Sequence, residues 1–250
     1  MSPDSHYATQ YFKELQSVLD RVASSQAEAI GLAAEAISRA ISQGGILHTF
    51  GTGHSHLIAE EFYYRAGGLV SVNPILFDGL MLHRDPVLST HLERLTGLAA
   101  TILESQVISP VDVAFVASNS GANAVSRELA MEMQRRGITV IAMTSMTHAT
   151  SKEARGAEAV RLHDIADIVI DNGGVVGDAI VSIAGFDQKV APTSTAIGAA
   201  IANAIVAQTV ANLARDGQHP RVYTSANTEG GDAANAESHK FAPTERRQLS

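Results

Sequence analysis

The sequence predicts an α/β fold, a three-layer sandwich in which a five-stranded, mainly parallel sheet lies between helices, with a long helix ahead of it. Three observations predict it. From residue 45 short apolar runs alternate with stretches of helical spacing, the pattern of strands joined by helical crossovers. Two of those runs end in small, hydroxyl-rich turns, Gly51-Thr52-Gly53-His54-Ser55-His56 and Ser118-Asn119-Ser120-Gly121-Ala122-Asn123. And the stretch 7–43 has no proline and only Gly31 as an internal glycine, with apolar residues at Leu15, Val18, Leu19, Val22, Ile30, Ala33, Ala34, Ile37 and Ile41.

That last spacing gives one helix over 7–43, stopped by Gly44 and Gly45. A helix this long has more apolar face than a small sheet needs, which fits packing on a partner subunit or in the core. A strand follows at 46–50 and a helix at 55–66. The second strand, 69–72, is ended by Asn73 and Pro74, and 73–86 is a loop. Ser89 reads as the N-cap of a helix over 89–104, with Glu93 near the capping-box position. Strands at 111–117, 138–143 and 165–170 complete the sheet, with a helix at 122–136 stopped by Gly137. A closing helix spans 193–216. The segment 225–240 is polar and has little to bury, so it reads as a mobile tail or as a flap over a site. The divisions are a helical segment (1–43), an α/β domain (44–220) and a tail (221–250), without an evident linker.

Composition narrows the function. The net charge is −8, which argues against a nucleic-acid partner. An anionic small ligand remains compatible, because backbone amides bind phosphate within an acidic protein. There is no cysteine, so thiol catalysis, disulfides and thiolate metal sites are excluded. No secretion signal is evident, which gives a cytoplasmic expectation. The segment 195–214 is near membrane-spanning length, but Asn203, Gln208, Thr209 and Asn212 fit a packed core or interface helix better.

The two turns carry the chemistry. Gly51 and Gly53 allow close approach of backbone to a ligand, and Ser55 stands at a helix start. Ser118, Ser120 and Asn123 add side-chain donors beside Gly121. Neutral donors with helix amides suit a phosphate monoester; each turn alone reads more simply as a helix cap, and it is the pair at two strand ends that points to a binding crevice. Thr193, Ser194 and Thr195 form a third hydroxyl cluster at a helix start. His56 occupies a position where the dinucleotide fingerprint needs glycine, and no Walker lysine is present. Glu60 and Glu61 follow the first turn, and Glu61 and Arg65 are spaced to pair. His54 and His56 offer proton transfer near neutral pH, or two ligands of an incomplete metal site. His83, Arg84, Glu93, Arg94 and Lys189 are further candidates for the crevice or the surface.

These three elements, Gly51-Thr52-Gly53-His54-Ser55, Ser118-Asn119-Ser120-Gly121-Ala122-Asn123 and Thr193-Ser194-Thr195, resemble the sugar isomerase (SIS) domain family of phosphosugar-binding proteins over about 35 to 215. Glu61, Tyr64-Arg65-Ala66-Gly67-Gly68, Ser225-Ala226-Asn227 and Gly230-Gly231-Asp232 resemble a bacterial subgroup related to phosphoheptose isomerases and N-acetylmuramic acid 6-phosphate etherases. The resemblance implies a flavodoxin-like sheet, homodimers with sites near the subunit interface, and no cofactor. It implies phosphate contacts by Ser118, Ser120, Asn123, Thr193, Ser194 and Thr195, with Ser55 near the sugar carbons; Gly53 and Asn119 are further substrate-binding candidates in the same turns. Arg65 stands where those enzymes keep an essential Glu, so their base does not carry over. The catalytic candidates are Glu61, Glu60, His54 and His56, with Arg65, His83 and Lys189 on the substrate. The expected reaction is elimination of the 3-substituent, as water, from an N-acetylhexosamine 6-phosphate. The alternatives are aldose–ketose isomerisation, a non-catalytic phosphosugar sensor, or a metal hydrolase.

Overall fold

The structure is a computed structural model that describes residues 6–153 and 160–243. The ends of the predicted helical segment and tail, 1–5 and 244–250, lie outside the described residues.

The N-terminal helix is two helices, α1 (His6–Ser25) and α2 (Ala27–Ser42). The break has a local and a tertiary cause. The Ser24 hydroxyl donates back to the Asp20 and Arg21 carbonyls at 3.0 and 2.9 Å, which bends a helix. Gln26, at the joint, accepts from the Asp171 amide at 3.0 Å and pins the bend to the sheet. Strand β1 (Leu47–Gly51) leads through a 3-10 turn (Gly53–Ser55) into α3 (His56–Glu61). That helix is shorter than predicted. Phe62 turns into the core against Phe115, with ring centroids 4.9 Å apart, and Tyr64 adopts a φ of 42° that no helix allows.

Next come β2 (Val72–Pro74), a 3-10 turn (Asp78–Leu80), α4 (Pro86–Leu92) and α5 (Leu98–Glu104). The single helix expected over 89–104 is therefore two, separated at Gly97 with a φ of 85°. Its N-cap is Asp85 rather than Ser89. Asp85 accepts from the Val87 and Leu88 amides at 2.8 and 2.9 Å, with Pro86 at the first helical position. Ser89 is buried and donates to the Leu80 carbonyl. The chain continues with β3 (Val113–Ala117), α6 (Ala124–Arg135), β4 (Thr139–Thr144), α7 (Met146–Ala149), α8 (Leu162–Ile165) and β5 (Ile168–Asp171).

These strands form a parallel sheet in the order β2-β1-β3-β4-β5. β1 and β3 are buried along their whole length, and their side chains divide between two faces with the strand period of two. Leu47, Val113, Phe115, Ile141 and Met143 meet α1, α2, α3 and the closing helix. Phe50, Ala114, Val116, Val140 and Ala142 meet α5, α6 and α8.

A hairpin of β6 (Ala179–Ile183) and β7 (Phe186–Pro192), absent from the sequence reading, stands outside this sheet. It is tied to α1, where the Tyr7 hydroxyl accepts from the Ala184 amide and the Tyr11 hydroxyl donates to the Pro192 carbonyl. The closing helix, α9 (Ser194–Arg215), is apolar and long enough to cross a membrane, but Ile197, Ile201, Ala202, Ile205 and Val206 spend one face of it in the core.

The predicted tail is folded as far as it is described. Residues 221–223 run antiparallel to 67–70, through Val70 to Arg221, Tyr223 to Gly68 and Gly67 to Tyr223 bonds of 2.8 to 3.0 Å. α10 (Gly231–His239) then packs back, and the Asn235 side chain bonds both the amide and the carbonyl of Thr224.

Candidate active site

The strand order reverses between β1 and β3, and an open α/β sheet leaves a crevice at the carboxyl ends of such a pair. The register Gly51↔Ala117 brings the two hydroxyl-rich turns side by side there. Between them lies a cavity of about 300 Å³.

The first turn is tight. A Cβ on Gly51 would sit 2.3 Å from the Ser55 carbonyl, so only glycine fits. Gly53 has a φ of 55°, and His56 closes the turn through Nδ1 on the Gly53 carbonyl. Its outward wall carries Thr52, Gly53, His54 and Ser55 into the cavity. Over it lies Glu93, which follows α4. Its Oε2 accepts from the Thr52 hydroxyl at 2.8 Å, and its own carbonyl accepts from the Val125 amide of α6 at 3.2 Å. A Cβ on Gly53 would be 4.0 Å from that carboxylate oxygen, an ordinary contact, so the φ of 55° rather than space is what favours glycine there.

The second turn is organised to donate. The Ser118 hydroxyl accepts from the Gly121 amide at 3.2 Å and Ser120 from the Ala122 amide at 3.3 Å. With those lone pairs engaged, each hydroxyl proton is left for a ligand acceptor. Asn119 is held by Asn172, which donates Nδ2 to its Oδ1 at 2.9 Å and accepts from the Gly174 amide. Asn123 makes no cap bond to α6 and lines the cavity. Beside this turn, Ser145 caps α7 and its amide bonds the Asn119 carbonyl. That places His148 on the cavity wall, with Nδ1 accepting from the Gly177 amide at 3.3 Å, so the neutral ring carries its proton on Nε2.

The third cluster is only partly as predicted. Ser194 and Thr195 line the cavity, whereas Thr193 is buried and does not. The first amides of α9 are taken by the carboxylate of Asp178, which also borders the cavity.

Gly53, His54, Ser55, Ser118, Asn119, Ser120, Asn123, Ser194 and Thr195 are therefore brought together. Glu93, a further candidate for the crevice, joins them, and the other predicted catalytic and substrate residues are not brought to this cavity. Glu60 is exposed on α3. Glu61 pairs with Arg65 and accepts from Asn203 of α9 at 2.6 Å, which holds both side chains on the flank of the sheet. His56 is committed to the first turn. His83 is exposed, its ring edge-on to His56 at 6.3 Å. Lys189 lies on the exposed outer strand of the hairpin. Among the described residues, no group of three or more His, Asp or Glu is placed to hold a metal ion. Sequence reasoning missed His148, Asn172 and Asp178, had Thr52 only as a member of the first turn, and had Glu93 only as a helix-cap partner or crevice candidate.

Residues 10–145 match the SIS domain family. The chain is 41% identical over 226 residues to a UPF0309 protein of Geobacillus thermodenitrificans, covering 90% of this chain and 91% of that one. It is 40% identical over 230 residues to a UPF0309 protein of Shouchella clausii, covering 92% and 94%. Among solved structures it is similar to a phosphoheptose isomerase from Francisella tularensis, with a TM-score of 0.56 and 16% identity over 81% of this chain and 95% of that one. The Vibrio vulnificus NanR protein complexed with ManNAc-6P gives a TM-score of 0.53 at 14% identity, over 86% and 66%.

Proposed function

Because this chain belongs to the SIS domain family, we propose that it is a phosphosugar enzyme that abstracts the C2 proton of an N-acetylhexosamine 6-phosphate and expels the 3-substituent. The observation that carries this reading is the Glu93 carboxylate, fixed by Thr52 over the first turn, in one cavity with the hydroxyl donors of the second turn. An open-chain hexose phosphate carries its phosphate and its C2 at separate points, which a cavity lined by both an anion cradle and a carboxylate can engage together. Ser118, Ser120 and Asn123 hold the phosphate. Glu93 takes the C2 proton, made acidic by the C1 carbonyl. The C2–H electrons form the C2–C3 double bond as the C3–O bond breaks, and the leaving oxygen takes a proton from the imidazolium form of His54 or His148, which becomes neutral as water departs. The products are the 2,3-unsaturated 2-acetamido sugar 6-phosphate and water. The N-acetylhexosamine 6-phosphate named with the Vibrio fold neighbour supports this substrate class.

Isomerisation is the second reading, favoured by the same carboxylate, since a base at C2 that returns its proton to C1 makes a ketose. A phosphosugar sensor is the reading of a different class, and the carboxylate in the cavity argues for chemistry over sensing.

Incubation with N-acetylglucosamine 6-phosphate and hexose 6-phosphates in D2O, followed by NMR, tests all three. New vinylic signals are the expected result. Deuterium at C2 or C1 of an intact product supports isomerisation. Binding without any exchange leaves the sensor, and no binding of any ester removes the phosphosugar reading.

A further inference from the structure

The residue just before the hairpin decides what the α9 end of the cavity accepts. α9 runs for 22 residues, and its first amides carry the positive end of a long helix dipole. In a phosphosugar cavity those amides are a natural place for an anion. The protein has put its own anion there. Asp178 Oδ1 accepts from the Thr193 and Ser194 amides at 3.2 and 3.0 Å, and Oδ2 accepts from the Ser194 hydroxyl at 2.5 Å. The backbone at Asp178 has a φ of 66°, in the left-handed region that aspartate enters more readily than most residues. Ala179 pairs with Pro192 across the base of the hairpin, so the chain itself fixes Asp178 beside Thr193. The carboxylate still borders the cavity.

Resting on the phosphosugar reading, we infer that Asp178 is a specificity-determining residue: a built-in anion that reserves the α9 end for an uncharged part of the ligand and confines the phosphate to the turn of Ser118 and Ser120. Among the described residues no carboxylate hydrogen-bonds to Ser118 or Ser120 of that turn, and these hydroxyls accept from their own turn amides, which leaves their protons for a ligand. A sugar hydroxyl at the α9 end donates to Asp178. A second phosphate or a sugar carboxylate there meets a fixed like charge. The ligand class is a hexose monophosphate whose far end is neutral and bears hydroxyls, with bisphosphates and phosphorylated sugar acids excluded.

Calorimetry on the full chain with N-acetylglucosamine 6-phosphate and its 1,6-bisphosphate tests this. The wild type is expected to bind the monophosphate at least about tenfold more tightly, the scale of one like-charge contact near a surface. Asp178→Asn removes the charge and Asp178→Gly also frees the amides, and both residues tolerate the positive φ. Each variant is expected to gain affinity for the bisphosphate and bring the ratio to within about threefold, as the like-charge contact disappears. Equal affinities in the wild type overturn the inference. So do variants that gain equally for both esters, because Asp178 would then be a placeholder displaced by a single phosphate. If the variants melt below the assay temperature, the wild-type ratio decides alone. Failure of the wild type to bind either ester removes the phosphosugar reading and this inference together, whereas binding without discrimination removes only the inference.

Discussion

At Glu93 one oxygen, held by the Thr52 hydroxyl at 2.8 Å, separates a positioned base from a surface carboxylate. Glu93→Gln keeps the shape and the Thr52 bond but cannot take a proton. We expect it to lower turnover by about 100-fold or more, within the usual range for a lost general base, with phosphosugar binding retained. Turnover near the wild-type rate in that variant would remove Glu93 from the mechanism. Ser120→Ala deletes a hydroxyl whose acceptor side is already occupied by the Ala122 amide. The dissociation constant for the sugar phosphate is expected to rise about tenfold, the value of a charge-assisted hydrogen bond, and an unchanged constant would move the phosphate elsewhere. The serines and Asn123 were legible because their spacing is local to one strand–turn–helix unit. Glu61 misled for the opposite reason. Its spacing to Arg65 was read correctly as a pair, but nothing local says that Asn203, far along the chain, draws it to the flank of the sheet. His148 and Asp178 had no local pattern, since their partners Gly177 and Ser194 are brought to them by the fold.

At the scale of elements, four strands of the sheet were legible, whereas β2 (Val72–Pro74) takes in the Asn73 and Pro74 expected to end it, and the helix breaks were not legible. The positions of the central strands follow from buried apolar runs, which hydropathy reports directly, whereas their order in the sheet is set by long-range pairing. The joint at Gln26 depends on the Asp171 amide, and the start of α4 depends on Asp85, one residue before a proline that the loop assignment had absorbed. The hairpin of β6 and β7 does carry a signal, a two-residue Ala184-Gly185 link with Gly185 at a φ of 76°, passed over because its strands pair outside the sheet. The amino ends of β1 and β3 hold a buried network opposite the cavity. His48 donates Nε2–H to Asp112 at 3.0 Å and accepts from Asn73 at 2.8 Å, and Asp112 also accepts from the Ile46 and Ser109 amides. Burial pushes the Asp112 carboxyl up, but the His48 and amide hydrogen bonds outweigh it and hold it below the usual aspartate value. A depressed folded pKa stabilises the fold fully above the unfolded value of about 3.9, and that stability is lost as pH falls through the folded pKa. Asp112→Asn is expected to cost about 2 kcal/mol at pH 7 and to flatten the loss of stability below pH 4, measured by denaturant titration across pH. An unchanged acid slope would show that the network contributes nothing to acid unfolding.

For the whole molecule, the reversal of strand order places the crevice, and alternation along the sequence was enough to foresee a parallel sheet with a crevice at its carboxyl edge. The polar composition of the tail hid its fold, because its stability comes from a few long-range contacts rather than a hydrophobic face. Tyr223 is the centre of them. It is buried, its ring lies 4.8 Å from Tyr64 and 6.5 Å from His239, and burial with the neighbouring Tyr63 and Tyr64 pushes its hydroxyl up to about 12. The phenol therefore stays protonated and pairs with His239 Nδ1 at 3.3 Å. Tyr223→Ala removes a large buried ring and leaves Val70 and Ala242 without their partner. A cost of about 3 kcal/mol is expected, read as a lower melting temperature. None of residues 221–243 lines the cavity, so phosphosugar affinity measured below that melting temperature is expected to match the wild type. The two readouts together separate a brace from a lid. A variant that melts early but binds normally identifies the segment as a cover for residues 67–70 ahead of β2. A variant that stays folded and binds poorly means that the segment acts on the site, through its own chain or through a second copy.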